Sequence, residues 1–233
     1  MMFGRSTTMV TREQALPGHS ERPFAVPTTH EVLGTPLQGP WPEGSRVLYI
    51  AMGCFWGAER IFWRLPGVVS TAVGYMGGYS PNPTYEETCT GRTGHTEAVQ
   101  VVYDPTVTDV EHLLKAFWEN HDPTQVNRQG NDIGSQYRGA IYWTDPADEA
   151  VVRASRDAFN DVVHAHGYGD ITTELRSAED AGPFYYAETY HQQYLHKNPG
   201  GYCNHGPNGM TCQIGIVRQD QVPAQVDVAP PRG

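Results

Sequence analysis

Apolar residues along this chain follow two rhythms, and both begin only after residue 45. Residues 47–52 form a short apolar run with β-branched and aromatic members, the pattern of a buried strand. Phe55, Ala58, Phe62 and Leu65 then recur at spacings of three and four, which predicts one face of a helix. Pro66-Gly67 stops that helix, and a second strand is predicted over 68–75. Residues 76–94 are rich in glycine and proline and predict a long loop, a length that in a compact domain points to function or disorder. A third strand, Thr96–Tyr103, places Val99, Val101 and Tyr103 on one face together with Glu97. Thr108 and Glu111 form a capping-box pair that opens a helix running to about Asn120, with Val110, Leu113, Leu114, Phe117 and Trp118 inward. A polar loop leads to a strand over 138–143. The next helix starts near 147 with Val151, Ala154, Ala158 and Val162 inward. A strand over 170–175 and a short helix over 188–196 complete the pattern.

The order β-α-β-loop-β-α-β-α-β predicts an α/β fold, a two-layer α+β sandwich. Residues 46–197 are expected to form a single α/β domain. Residues 1–45, broken by Pro17, Pro23, Pro27, Pro36, Pro40 and Pro42, form a largely irregular extension that wraps the domain or stays loose. Residues 198–233 form a Gly/Pro-rich arm.

Composition narrows the function classes. The 233 residues carry 16 Lys and Arg against 26 Asp and Glu, a formal net charge of −10, which argues against a nucleic-acid binder and against an electrostatic membrane anchor. No apolar stretch approaches the ~20 residues a bilayer span requires, and the amino terminus lacks the apolar segment of a secretory signal. A cytoplasmic protein is therefore expected. In that reducing setting its four cysteines point to catalysis, redox chemistry or metal rather than to structural bridges.

Cys54 is the most informative of them. It follows a strand and a glycine at the first turn of a helix, where free N–H groups and the helix dipole favour a thiolate. A thiol with an ordinary pKa near ~8.5 is only about 3% ionised at pH 7. The opposing reading, a small buried hydrophobe, is equally compatible with the residue alone. Phe55 belongs to the inward stripe, so Trp56 leans out beside Cys54 and can wall a site for a small apolar group. Glu97, on an otherwise apolar strand face, would be desolvated and held protonated, a proton donor near neutral pH. The alternative is a solvated strand-end charge. Tyr85 and Tyr137 are candidate hydroxyl donors among 13 tyrosines. Asp132 and His191 are weaker candidates, and Cys89 receives no role. Cys203 and Cys212 lie among glycines and read as zinc ligands with His205, as inert thiols, or as resolving thiols on an arm that folds over Cys54.

The run Gly53-Cys54-Phe55-Trp56-Gly57 resembles the signature of the peptide methionine sulfoxide reductase A family. The runs GGYSPNPTYEETCTGRTGHTEAV and FWENHDPTQVNRQGNDIGSQYR, and HQQYLHKNP followed by the cysteine-bearing tail, are similar to that family as well, so the likeness spans roughly residues 46 to 212. The resemblance implies a split β-α-β core and thioredoxin-dependent reduction of methionine-S-sulfoxide, free or in proteins. It implies Cys54 as nucleophile, with Phe55 and Trp56 holding the substrate's methyl group. Glu97, Tyr85 and Tyr137 would bind and protonate the oxygen, and Asp132 would support the pocket. Cys203 would resolve the oxidised Cys54, and Cys212 would pass the oxidation outward. It implies neither metal nor organic cofactor, and a monomer. Two rivals remain at this stage: a peptide-binding module with Cys54 as packing, and a cysteine hydrolase pairing Cys54 with a distant histidine.

Overall fold

The computed structural model describes residues 8–215. Its helices and strands, in chain order, are β1 (Arg46–Met52), α1 (Phe55–Phe62), β2 (Val68–Met76), α2 (Tyr85–Cys89), β3 (Thr96–Tyr103), α3 (Val110–Glu119), β4 (Arg128–Gln129), β5 (Asp132–Ile133), β6 (Gly139–Trp143), α4 (Asp148–Ala165), β7 (Glu174–Ser177), α5 (Ala178–Ala181), β8 (Tyr185–Tyr186) and α6 (Tyr194–Lys197). Six strands make one sheet in the order β7-β6-β1-β3-β2-β8, and β4 and β5 pair separately. Every pairing in the large sheet is antiparallel except β6 with β7.

Because β1 and β2 both run antiparallel to β3, they are parallel to each other with β3 between them. The β1-α1-β2 passage is thus a split β-α-β unit. The β3-α3-β6 passage is a second, with β1 in its gap, and the two interlock. The fold is the predicted α/β sandwich. Alternation along the strands builds its core: Leu48, Ile50 and Met52 of β1, Val73 and Tyr75 of β2, and Val99, Val101 and Tyr103 of β3 meet the helices from one sheet face. Phe55, Ala58 and Phe62 of α1 and Leu113, Leu114, Phe117 and Trp118 of α3 fill the other half of that layer. The opposite face carries smaller residues, Ala51, Ala98 and Ala140, under Phe184 and Ala181.

Several local expectations are corrected. The long loop contains α2, capped at Thr84, whose side chain accepts from the Glu87 N–H while the Glu87 carboxylate accepts from the Thr84 N–H. The box at Thr108 and Glu111 does not form. Asp109, one residue later, caps α3 instead by accepting the His112 N–H at 3.0 Å, and it brings a negative charge to the dipole's positive end. The inward stripe of α4 is Val152, Ser155, Phe159 and Val163, one residue on from the predicted one; Val151 and Val162 flank it. The large Phe159 ring, stacked against Trp118 at 5.8 Å, sets that rotation rather than the two alanines. The last long strand is Glu174–Ser177, fixed by parallel register on β6, and the helix predicted over 188–196 is confined to Tyr194–Lys197.

The extension wraps the body. Among its described residues the only regular element is a 3-10 turn at Arg12–Gln14, yet Leu37 and His30 are buried. Val32 and Leu33 donate their N–H groups to His30 Nδ1, so Nε2 carries the proton and donates to Thr71 Oγ1 at 2.8 Å. Thr71 in turn donates to Glu59 of α1. Further up the extension, Ser80 donates to the Leu16 carbonyl and Leu16 to that of Arg92, which straps the loop bearing α2.

Candidate active site

β1 ends against the amino terminus of α1, and the turn between them decides the site. Gly53 has φ of 101°, and a Cβ there would lie 2.6 Å from Gln129, so only glycine suits this turn. Cys54 follows as the N-cap of α1. It is 6% exposed, and that remnant opens into a cavity of about 310 Å³ lined by Cys54, Phe55, Trp56, Tyr85, Glu97, Asp132, Tyr137 and Tyr202. The six other predicted site residues outside the tail, Phe55, Trp56, Tyr85, Glu97, Asp132 and Tyr137, therefore converge on one cavity with Cys54. Cys203 and Cys212 do not line it.

Glu97 reaches the site because it shares the helix-facing side of β3 with Val99, as period-two alternation requires. It accepts the Phe55 N–H at 2.9 Å, an orphan donor of the helix terminus, so the carboxyl is fixed beside Cys54. Burial raises its pKa to about 8, opposed by the Phe55 hydrogen bond and reinforced by the nearby Asp132 charge. It is thus a carboxylic acid at neutral pH.

The expected low pKa of Cys54 is not what the structure gives. Burial pushes the thiol well above its usual value, and the Glu97 charge pushes the same way. The N–H groups of Trp56 and Gly57 favour the thiolate but are outweighed. The helix terminus acts in the expected direction, but desolvation is the larger effect. At neutral pH the site thus holds a neutral thiol beside a neutral acid.

The aromatic walls are held from behind. Phe55 lies in the core against Tyr75 at 5.9 Å. Trp56 donates its indole N–H to His191 Nδ1 at 3.0 Å and stacks on Tyr194 at 3.8 Å between ring centres. Burial lowers the His191 pKa to about 3, so the ring is a neutral acceptor. Glu188 accepts the Tyr85 N–H at 2.7 Å and the Tyr75 hydroxyl at 2.9 Å, which ties α2 to the sheet. Burial raises the hydroxyl pKa of both Tyr85 and Tyr137, so each remains a donor throughout the neutral range. Glu188, Tyr194 and Tyr202 were not singled out from the sequence. The adjacency of Tyr202 to Cys203 was the available signal, whereas Glu188 and Tyr194 had none.

The arm touches the cavity's rim. Tyr202 donates its hydroxyl to Asp132 at 3.2 Å and Asn204 donates to the same oxygen at 2.8 Å. The Cys203 sulfur accepts from Arg60 at 3.0 Å. Cys212, expected to pass the oxidation outward, does not lie at the surface. It is buried against α3, its N–H donating to Glu119 at 2.8 Å and its carbonyl accepting from Lys115 at 3.1 Å, and burial raises its thiol pKa. Cys54, Cys203 and Cys212 are free thiols. Cys203 and Cys212 have different partners on different helices. Among the described residues no group of three or more His, Cys, Asp or Glu side chains converges as a metal site. No helix among them is long and apolar enough to cross a membrane.

The family model described as peptide methionine sulfoxide reductase matches residues 46–216. The peptide methionine sulfoxide reductase MsrA of Salinispora arenicola is 62% identical over 214 residues, covering 90% of this chain and 94% of its own. That of Streptomyces griseus is 56% identical over 216 residues, with 93% and 97% covered. The solved methionine sulfoxide reductase A of Corynebacterium diphtheriae is 48% identical and superimposes with a TM-score of 0.79, covering 91% of this chain and 100% of that one. Mxr1 of Saccharomyces cerevisiae in reduced form gives 34% identity and a TM-score of 0.62, with 70% and 91% covered. The chain belongs to the peptide methionine sulfoxide reductase A family of oxidoreductases.

Proposed function

We propose that this chain reduces methionine-S-sulfoxide, free and in proteins, by oxygen transfer to Cys54. The observation that carries the reading is the pairing of the cavity-facing Cys54 thiol with a buried, protonated Glu97 fixed by the Phe55 N–H. Oxide is a very poor leaving group, so the reaction needs a soft nucleophile at sulfur and a proton at oxygen. Glu97 hydrogen-bonds the sulfoxide oxygen, with Tyr85 and Tyr137 as further donors, and Phe55 and Trp56 enclose the methyl group. As the Cys54 sulfur takes the oxygen, its own proton passes to Glu97 while the Glu97 proton moves to oxygen. The carboxyl is restored, methionine leaves, and Cys54 becomes a sulfenic acid. Asp132 orders the rim through Tyr202 and Asn204.

Cys203 then condenses with the sulfenic acid, giving a disulfide and water. Cys212 takes the oxidation over by thiol exchange, and thioredoxin reduces the resulting Cys203–Cys212 bridge. Because Cys212 is buried against α3, the second exchange requires residues 204–212 to leave their contacts with Glu119 and Lys115. The hydrolase reading lacks a base on Cys54 among the described residues: His191 Nδ1 is taken by the Trp56 indole, and neither His191 nor His205 hydrogen-bonds to Cys54.

Mass spectrometry of a methionine-S-sulfoxide peptide after mixing with the enzyme and dithiothreitol tests the function. Loss of one oxygen is expected; hydrolysis or an unchanged peptide refutes it. With thioredoxin as the only reductant, Cys203→Ser is expected to form about one methionine per enzyme and stop. Continued steady-state turnover of that variant would contradict the order of the relay.

A further inference from the structure

The space above the first turn of α1 is occupied by the arm rather than by a side chain of α1 itself. Gly57 lies one turn on from Cys54. A Cβ added at Gly57 would lie 2.4 Å from His205 Nδ1 and 2.9 Å from the Cys203 sulfur, so the two atoms converge on the same small volume. His205 donates from Nε2 to the Met52 carbonyl at the end of β1, which fixes the tautomer and leaves Nδ1 as a lone pair. That Nδ1 is shielded from solvent and has no hydrogen-bond partner among the described residues. In the resting pose the Cys203 thiol faces the His205 carbonyl at 3.7 Å, and Arg60, one turn further along α1, donates to the same sulfur at 3.0 Å. A buried acceptor without a donor costs about 1–3 kcal/mol, so an arrangement that keeps one beside a thiol calls for a reason.

We infer that His205 is the proton acceptor for Cys203 in the disulfide-forming step, with Arg60 steadying the charge on the attacking sulfur. The inference rests on the proposed function. The Cys203 S–H bond breaks and its proton passes to Nδ1. The sulfur attacks the Cys54 sulfur, and the S–O electron pair of the sulfenic acid departs as hydroxide. That hydroxide takes the proton, so one S–S bond and one water form and the ring returns to neutrality. Burial lowers the His205 pKa to about 4, so Nδ1 is unprotonated at neutral pH, and the ring, a weak base, holds the Cys203 proton only until the departing hydroxide takes it. The bond to Met52 holds the ring beside the turn that presents Cys54, so the acceptor stays in place as the sulfur moves along α1. Gly57 is required because any side chain would fill this space.

Rapid-quench measurement on the full chain, mixed with methionine sulfoxide and no reductant, separates the two steps. Methionine formation reports the proposed function, and its absence in the native protein refutes that function alone. The rate at which the Cys54–Cys203 disulfide follows reports on His205. Both His205→Ala and His205→Gln are expected to slow disulfide formation by about 10²-fold. Free imidazole is expected to restore much of the rate to His205→Ala. Disulfide formation at the native rate in either variant, or failure of imidazole to accelerate His205→Ala, would overturn the inference. Recovery of the native rate in Gln alone would reveal a purely structural hold on Met52. Should His205→Ala not fold by circular dichroism, His205→Gln, whose amide N–H can donate to the same carbonyl, decides the matter by its rate.

Discussion

Cys54→Ser is expected to abolish methionine formation, a loss on the order of 10⁴-fold or more. The size of the effect follows from the chemistry rather than from the fold. A hydroxyl at position 54 is a far weaker nucleophile than a thiol, and it has no stable way to accept the oxygen. Transfer to sulfur gives a sulfenic acid, whereas transfer to oxygen would give a hydroperoxide, a high-energy product. The substitution is nearly isosteric, and the serine oxygen meets the same Trp56 and Gly57 N–H groups that face the cysteine sulfur. Folding should therefore be preserved, and circular dichroism together with the thermal midpoint should match the native protein within a few degrees. The decisive measurement is single-turnover methionine release with excess enzyme and dithiothreitol. Residual release within about 10²-fold of the native rate would remove Cys54 from the role of oxygen acceptor.

The parts of this site that sequence disclosed are those governed by periodicity. Glu97 was placed on the helix-facing side of β3 because strand side chains alternate, and that placement needed nothing beyond Val99, Val101 and Tyr103. Cys54 was placed at a helix start because Phe55, Ala58 and Phe62 mark one face and Gly53 precedes it. Electrostatic balance was less legible. Whether the helix terminus or burial governs the Cys54 thiol depends on how much protein covers it, and that cover comes from β3, the α2 loop and Tyr202, all distant in sequence. Buttresses were least legible: Glu188, with its two donors, looks like any solvated acid until Tyr75 and Tyr85 are brought to it across more than a hundred residues. The α4 stripe failed for a related reason. Two alanines and two valines matched the helical period, but the phase was set by the volume of Phe159 against Trp118. The placement of Cys212 failed because a glycine-rich tail reads as free chain, whereas Glu119 and Lys115 of α3 capture its backbone.

Glu97→Gln is expected to slow single-turnover methionine formation by about 10²–10⁴-fold, the usual contribution of a positioned general acid. The amide keeps the shape of the carboxyl, and its carbonyl can still accept the Phe55 N–H, so Cys54 should stay where it is. What disappears is a proton that can be given to the sulfoxide oxygen. The pH dependence separates this from a loss of positioning. In the native enzyme the acid is competent below a pKa of about 8, so the reduction rate should fall as pH rises through that value. The amide does not titrate, so the variant should lack that decline and its deficit should narrow at alkaline pH. Stability gives an independent check of the same group. The native carboxyl binds a proton more tightly than it does in the unfolded chain, where it ionises near ~4.3. The native state therefore holds the extra proton between that value and about 8, and Glu97 lowers stability progressively as pH rises across this window. Below it the contribution of Glu97 to the pH dependence vanishes. Glu97→Gln removes the titration, so its thermal midpoint relative to the native protein should rise between about pH 5 and about pH 8. A difference in midpoint that stays flat over that range, or a variant whose rate declines with pH as the native rate does, would show that residue 97 is already ionised in the folded protein and cannot be the acid.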